Sequence, residues 1–245
     1  MRVLRVVMGA PVASFRRPLD HNYQRTLPLP PPTTLLGIAG AALGLSDRQL
    51  WADDSPLRGA RVAVWANTEP GRARDMWTVL KIKANKIAER SPYFRELLFF
   101  VSYTIVYSLP DPLLERLQAA FLDPVYPPSL GREDELALVE DVALREVTPG
   151  QPQFRGTVLP GDIRKDLPRP VLQPGVRAEP LTVETLPLFF QVDSKGVRSP
   201  QQMMPLSFVP VQLEIELPSP SFPVFQLDGR NFTWANFSPS PTSPS

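Results

Sequence analysis

The chain has 245 residues, 43% hydrophobic and 21% charged, enough to bury a core in one large domain or two small ones. It has no cysteine, which excludes disulfide frameworks, thiolate metal sites and cysteine nucleophiles and fits a reducing, cytoplasmic setting. The net charge of +1 conceals an imbalance: residues 1–95 carry 15 Lys+Arg against 7 Asp+Glu, whereas residues 96–245 carry 11 against 18. A basic half joined to an acidic half suits an anionic partner at one end and protein neighbours at the other, although scattered solvated charge gives the same count.

Residues 2–8 (RVLRVVM) are apolar and β-branched and close at Gly9 and Pro11. They read as a first strand; the stretch is too short and too interrupted by Arg5 for a signal peptide. A loop follows from Pro11 to Pro32, ending in a proline run. Thr33 or Thr34 then reads as the cap of a helix to about Leu45, whose Gly37, Gly40 and Gly44 fall on one face. Each such glycine costs about 1 kcal/mol relative to alanine, so something approaches that backbone closely, and a packed sheet is the expected neighbour. The longest apolar run, residues 35–45, is too short to span a bilayer.

Residues 60–66 alternate as a half-buried strand, and a basic excursion from 67 to 92 follows. The run 97–108 (LLFFVSYTIVYS) is the strongest strand signal; Asp111 and Pro112 then start a helix with Leu113, Leu114, Leu117 and Phe121 inward. After a turn at 129–132, residues 135–147 complete a strand–helix–strand–strand–helix–strand order. The expected fold is therefore α+β: a ferredoxin-like (RRM-like) βαββαβ domain over 1–147, with a β-hairpin insertion at about 67–92 and a smaller, irregular β-rich region beyond. Residues 148–180 read as a Pro/Gly-rich linker or arm. A small β-rich region spans 181–237, with strands at 186–192 and 208–217 and a hairpin around Asp228-Gly229. Residues 238–245 read as a flexible tail.

Two clusters carry binding chemistry. In the basic excursion, Trp77, Lys81 and Lys83 share a strand face, Lys86 follows, and Trp65 adds a second indole nearby. Cations interleaved with aromatics suit a single nucleic-acid strand, and a solvated hairpin with structural tryptophans has the same composition. The loop with Ser14, Phe15, Arg16, Arg17, Asn22, Tyr23, Gln24 and Arg25 supplies guanidiniums, amides and rings suited to unpaired bases. Catalytic signals are weak. His21 is the only histidine, no nucleophile or metal motif is present, and Glu133, Asp134 and Glu135 read as solvated charge after a turn. No cofactor, metal or catalytic residue is expected. Phe100-Val-Ser-Tyr103 echoes an RNA-recognition motif without its glycines and reads as core.

Gly9-Ala-Pro-Val-Ala-Ser14-Phe15-Arg16, then Leu29-Pro-Pro-Pro-Thr-Thr-Leu-Leu-Gly37 and Gly40-Ala-Ala-Leu-Gly44, resemble the start of the Cas-five family of CRISPR-associated proteins, in the RAMP superfamily. Tyr126-Pro-Pro-Ser-Leu-Gly131-Arg132-Glu133 resembles that family's second recurring segment. The resemblance implies a non-catalytic type I Cascade subunit that binds the 5′ handle of crRNA and caps the backbone filament in antiviral defence. Its hairpin would be a thumb beside the first backbone subunit. Its further partners would be the large subunit and target DNA near its PAM, with no membrane. By the same analogy the Ser14–Arg17 loop, the thumb lysines and Gly131-Arg132 lie near RNA. The alternatives are an endoribonuclease that processes pre-crRNA, for which no Tyr, Lys and His set is in place, the handle-binding subunit of a type III effector, and an unrelated RNA-binding domain.

Overall fold

The computed structural model describes residues 1–167 and 180–237. Part of the expected linker, 168–179, and the expected tail, 238–245, lie outside the described residues.

The chain is mixed α/β, mostly sheet with few helices. Strand β1 (Arg2–Ala13) leads to α1 (Pro32–Ala42), the short α2 (Asp47–Trp51) and β2 (Arg61–Ala66). Then come β3 (Gly71–Lys83), β4 (Lys86–Ser108), α3 (Asp111–Leu122) and β5 (Leu138–Glu146). In space the strands lie β5-β1-β4-β2, every pair antiparallel, with Leu4 opposite Tyr107 and Leu144, and Val62 opposite Tyr107. Residues 3–8 and 97–107 thus belong to one sheet. β3 pairs only with the first part of β4, from Gly71 opposite Phe99 to Lys83 opposite Lys86. The hairpin turns at Ala84 and Asn85, both at positive φ, the left-handed turn that strand twist favours.

Strand alternation divides the sheet's two faces. Leu4, Val6, Met8, Ile105 and Tyr107 pack on Leu35, Leu36 and Ala39 of α1 and Leu114, Leu117 and Phe121 of α3. Val3, Ala63, Trp65 and Val106 face the other way, onto Leu227, Phe232 and Trp234. Trp65, expected to be available to bases, is therefore core, its ring 5.6 Å from that of Phe232.

The caps differ from expectation. Pro31 and Pro110 are the N-caps, with no side-chain cap bond, and Pro32 and Pro112 fall in the first turns, where a missing N–H costs nothing. α1 ends as a Schellman turn: Leu45 N–H donates to the Gly40 carbonyl and Gly44, at φ +74°, donates to Ala41. Gly40 has Leu50 of α2 3.0 Å from where a Cβ would sit, so a helix takes the place expected of a sheet.

The second half is better ordered than its prolines suggested. Within the Pro/Gly-rich stretch read as a linker or arm, residues 148–167 pack against the rest of the chain. Gln153–Arg155 (β6) and Val158–Pro160 (β7) bury Phe154, Val158 and Leu159, and Thr157 caps the edge of β2 by donating its hydroxyl to the Val64 carbonyl at 2.7 Å. Beyond, β8 (Thr182–Val192) pairs with β9 (Arg198–Phe208), not with a strand at 208–217. The turn between them is fixed by Asp193, whose carboxylate accepts from the Lys195 and Val197 amides, and by Gly196 at φ +82°. Pro200 and Pro205 hid this strand from its sequence pattern. Of 208–217, Phe208 ends β9 and Glu214–Glu216 (β10) pairs with β6. The hairpin around Asp228-Gly229 is present as Phe225–Leu227 (β11) and Arg230–Phe232 (β12).

Candidate nucleic-acid interface

The two clusters and the Gly131-Arg132 turn meet at the base of the β3–β4 hairpin. Their keystone is Glu135, which is buried rather than solvated because three donors converge on it. Ser14 N–H (2.8 Å), Ser14 hydroxyl (2.6 Å) and Arg132 N–H (2.9 Å) all donate to its carboxylate. Gly131 makes this approach achievable. It sits at φ +125°, and a Cβ there would lie 1.9 Å from the Ser14 carbonyl oxygen. Arg132 is held as a result: its Nε donates to Ser14 Oγ at 3.3 Å, and its Nη2 donates to the Gln24 side-chain carbonyl.

The Arg132 guanidinium lies 5.1 Å from the centre of the Trp77 ring, and that of Arg95 lies 5.0 Å from it. Arg95 is opposite Asp75 in the hairpin register and pairs with it at 2.8 Å. Trp77 is therefore already covered by cations, and what it presents outward is a guanidinium pair on an indole. Burial pulls the Arg132 pKa below its ordinary value, with Glu135 opposing. Farther out on the same hairpin face, Trp77, Lys81 and Lys83 stand opposite Tyr93, Glu89 and Lys86. Lys81 pairs with Glu89 at 2.9 Å, which raises its pKa; Lys83 and Lys86 are exposed at the tip. The opposite face exposes Met76, Leu80, Ile82, Ile87 and Phe94, with Arg74 and Arg90 among them.

The loop residues are only partly as expected. Phe15 is core, edge-on to Tyr103 at 6.0 Å, while Ser14 and Gln24 are buried in the polar network. Arg17 chelates Glu184 of β8, and Arg25 pairs with Asp20 at 2.7 Å, holding the Asp20 carboxyl below its usual range. Phe15, Ser14, Gln24 and Arg17 turn inward because each has a partner there, whereas Arg25 meets its partner at the surface and stays exposed. Arg16 and Asn22 are exposed, and the Asn22 carbonyl accepts from Phe94 N–H at 2.8 Å. Tyr23 donates its hydroxyl to Glu96 at 2.9 Å, which raises its pKa, and carries Arg74 over its ring at 5.7 Å. His21 is exposed and shares no hydrogen bond with Tyr23. Arg95 and Glu135 were missed. The only signal for Glu135 was its spacing three residues after Arg132.

Phe100 also departs from its expected core position. It is 78% exposed at φ +52°, where β4 bends from the hairpin into the main sheet, while its neighbours Val101 and Tyr103 are buried.

Among the described residues no helix is long and apolar enough to cross a membrane. No curated protein sequence matches the chain. Among solved structures, one titled as a CRISPR RNA-guided surveillance complex aligns over 89% of this chain and 91% of that chain, at 19% identity and a TM-score of 0.55. A CRISPR protein from Archaeoglobus fulgidus aligns over 96% and 99%, at 12% identity and a TM-score of 0.55. Both show a shared fold. Residues 3–214 match the family described as CRISPR-associated protein (Cas_Cas5), a span that takes in β1, the proline-capped α1, the hairpin and the Ser14–Arg132–Glu135 junction. The chain belongs to the Cas-five family of CRISPR-associated proteins.

Proposed function

We propose that this protein is an RNA-binding subunit of a Cascade-type complex that grips the 5′ handle of the guide RNA and caps the backbone filament. The observation that carries the reading is one hairpin face on which Arg132 and Arg95 cover Trp77 at the base and Lys83 and Lys86 stand exposed at the tip, with the Lys81–Glu89 pair between them. Guanidiniums preset on an indole pay little ordering entropy on meeting a phosphate, and the tip lysines extend the track. Family membership supplies the RNA context. The connectivity and the strand order β5-β1-β4-β2 support a ferredoxin-like reading of residues 1–147, with the β3–β4 hairpin as the thumb.

The hairpin's other face, with Met76, Ile82 and Phe94 uncovered among Arg74 and Arg90, suits burial against the neighbouring backbone subunit. The acidic second half is left for the large subunit and, through it, the target flank. The reading places the complex in the prokaryotic cytoplasm and assigns the subunit no catalytic step.

The test is a salt titration of labelled handle RNA. Replacing Lys81, Lys83 and Lys86 with alanine lowers affinity and reduces the slope of log K against log salt by about 1.5–2 units, at roughly 0.7 per phosphate contact on a single strand. Lys81 contributes least, because Glu89 already neutralises it. Replacing Arg164 and Lys165 leaves the slope unchanged. Equal losses in the two variants would refute the placement.

A further inference from the structure

Of the glycines of α1, Gly40 is explained by Leu50 and Gly44 by its left-handed turn. Gly37 is not: it is mid-helix, its φ is ordinary, and no atom lies within 4 Å of where its Cβ would be. It opens instead onto a groove of about 510 Å³ between α1 and β8. Thr33, Thr34 and Gly37 of α1 line it together with Pro187 and Phe190 of β8, and Arg16, Tyr126 and Gly131 line it as well. The volume lies within the range of small-molecule sites.

We infer that this groove receives one unpaired nucleotide of the bound RNA, its base against Tyr126 and its phosphate on Arg16. The inference rests on the RNA reading above and locates a contact beyond the hairpin. Tyr126 is 55% exposed, and its backbone is anchored, because its amide donates to the Ala41 carbonyl at 3.2 Å and the Val125 amide to Ala42 at 3.1 Å. An exposed phenol on an anchored backbone is a stacking platform for an unpaired base. Arg16 is exposed and makes no ion pair among the described residues, unlike Arg17 and Arg25, which follow it in the same loop. Asp47, the carboxylate in the groove, is matched by Arg198, which donates to it at 2.6 Å. The groove is continuous with the first site, since Gly131 lines it and Arg132 belongs to the Trp77 cluster. A nucleotide, rather than a peptide, is favoured by this junction of a free guanidinium, an exposed ring and a cationic track.

Gly37→Leu tests this with two readouts of opposite sign. The added side chain meets open space and improves helix propensity, so the melting temperature of the full chain holds or rises by about 2–3 °C. The same side chain fills the groove, and affinity for handle RNA falls by about tenfold, the scale of one lost stacking contact. A handle RNA made abasic at one position binds the wild type as weakly as the intact handle binds the variant, and the two changes do not add. Tyr126→Ala reproduces the loss. Undiminished affinity in Gly37→Leu, with the wild type still binding and the lysine variant still impaired, overturns the groove alone. A wild type without preference for handle RNA overturns both readings.

Discussion

Glu135→Ala is the sharpest structural perturbation available, because three donors depend on one buried carboxylate. Ser14 N–H at 2.8 Å, Ser14 Oγ at 2.6 Å and Arg132 N–H at 2.9 Å lose their acceptor together, and the Glu135 side chain is only 3% exposed, so water does not replace it freely. Hydrogen bonds to a charged group contribute about 1.5–3 kcal/mol each, and donors left buried without partners add to the cost. Allowing for relaxation at the nearby surface, the loss should be about 3–5 kcal/mol, or roughly 10 °C in melting temperature for a chain of this size. Denaturant unfolding followed by tryptophan fluorescence measures it, and Trp77 reports directly on the release of Arg132. Glu133→Ala and Asp134→Ala, both exposed, should stay within about 0.5 kcal/mol of the parent. A Glu135→Ala change of under 1 kcal/mol, indistinguishable from these controls, would refute the keystone role and with it the presetting of Arg132.

Repeat RNA incubated with the purified chain should remain intact, and His21→Ala should change nothing. Site-specific cutting lost in that variant would instead make the protein a processing nuclease. Phe100→Gly should hold or raise stability by about 1 kcal/mol, since the ring is exposed and glycine removes the strain of φ +52°. A clear destabilisation by thermal melt would show that the ring has a packing role.

Much of the sheet was legible in the sequence because the strands that form it bury one face and alternate accordingly. Leu4, Val6 and Met8 face the helices while Val3 does not, and the run 97–108 is too β-branched to read otherwise. Proline caused most of the errors. It obscured β9 at Pro200 and Pro205, and it made 148–167 look like a connection although Phe154, Val158 and Leu159 are core. Helix starts were misassigned by one to three residues for the same cause, since Pro31 and Pro110 occupy positions usually held by a hydroxyl or carboxylate.

At the interface, residue type was a good guide to location and a poor one to exposure. Ser14, Gln24, Trp77, Gly131 and Arg132 do converge, although they are distant in sequence. Which arginines remain available depends on acidic partners supplied from elsewhere in the chain. Arg17 is claimed by Glu184 and Arg25 by Asp20, whereas Arg16 stays exposed, and no local pattern announces that outcome. Glu135 was misjudged similarly: two exposed acids precede it, and only the tertiary approach of Ser14 turns it inward.

The most direct test of the central claim is to cross-link RNA to this subunit by ultraviolet light in the assembled, guide-loaded complex, then sequence the attached RNA and map the attached peptides. The account predicts adducts between nucleotides of the 5′ handle and peptides spanning 77–86 and 126–132. Adducts confined to the spacer, or absent from both peptides, would contradict it.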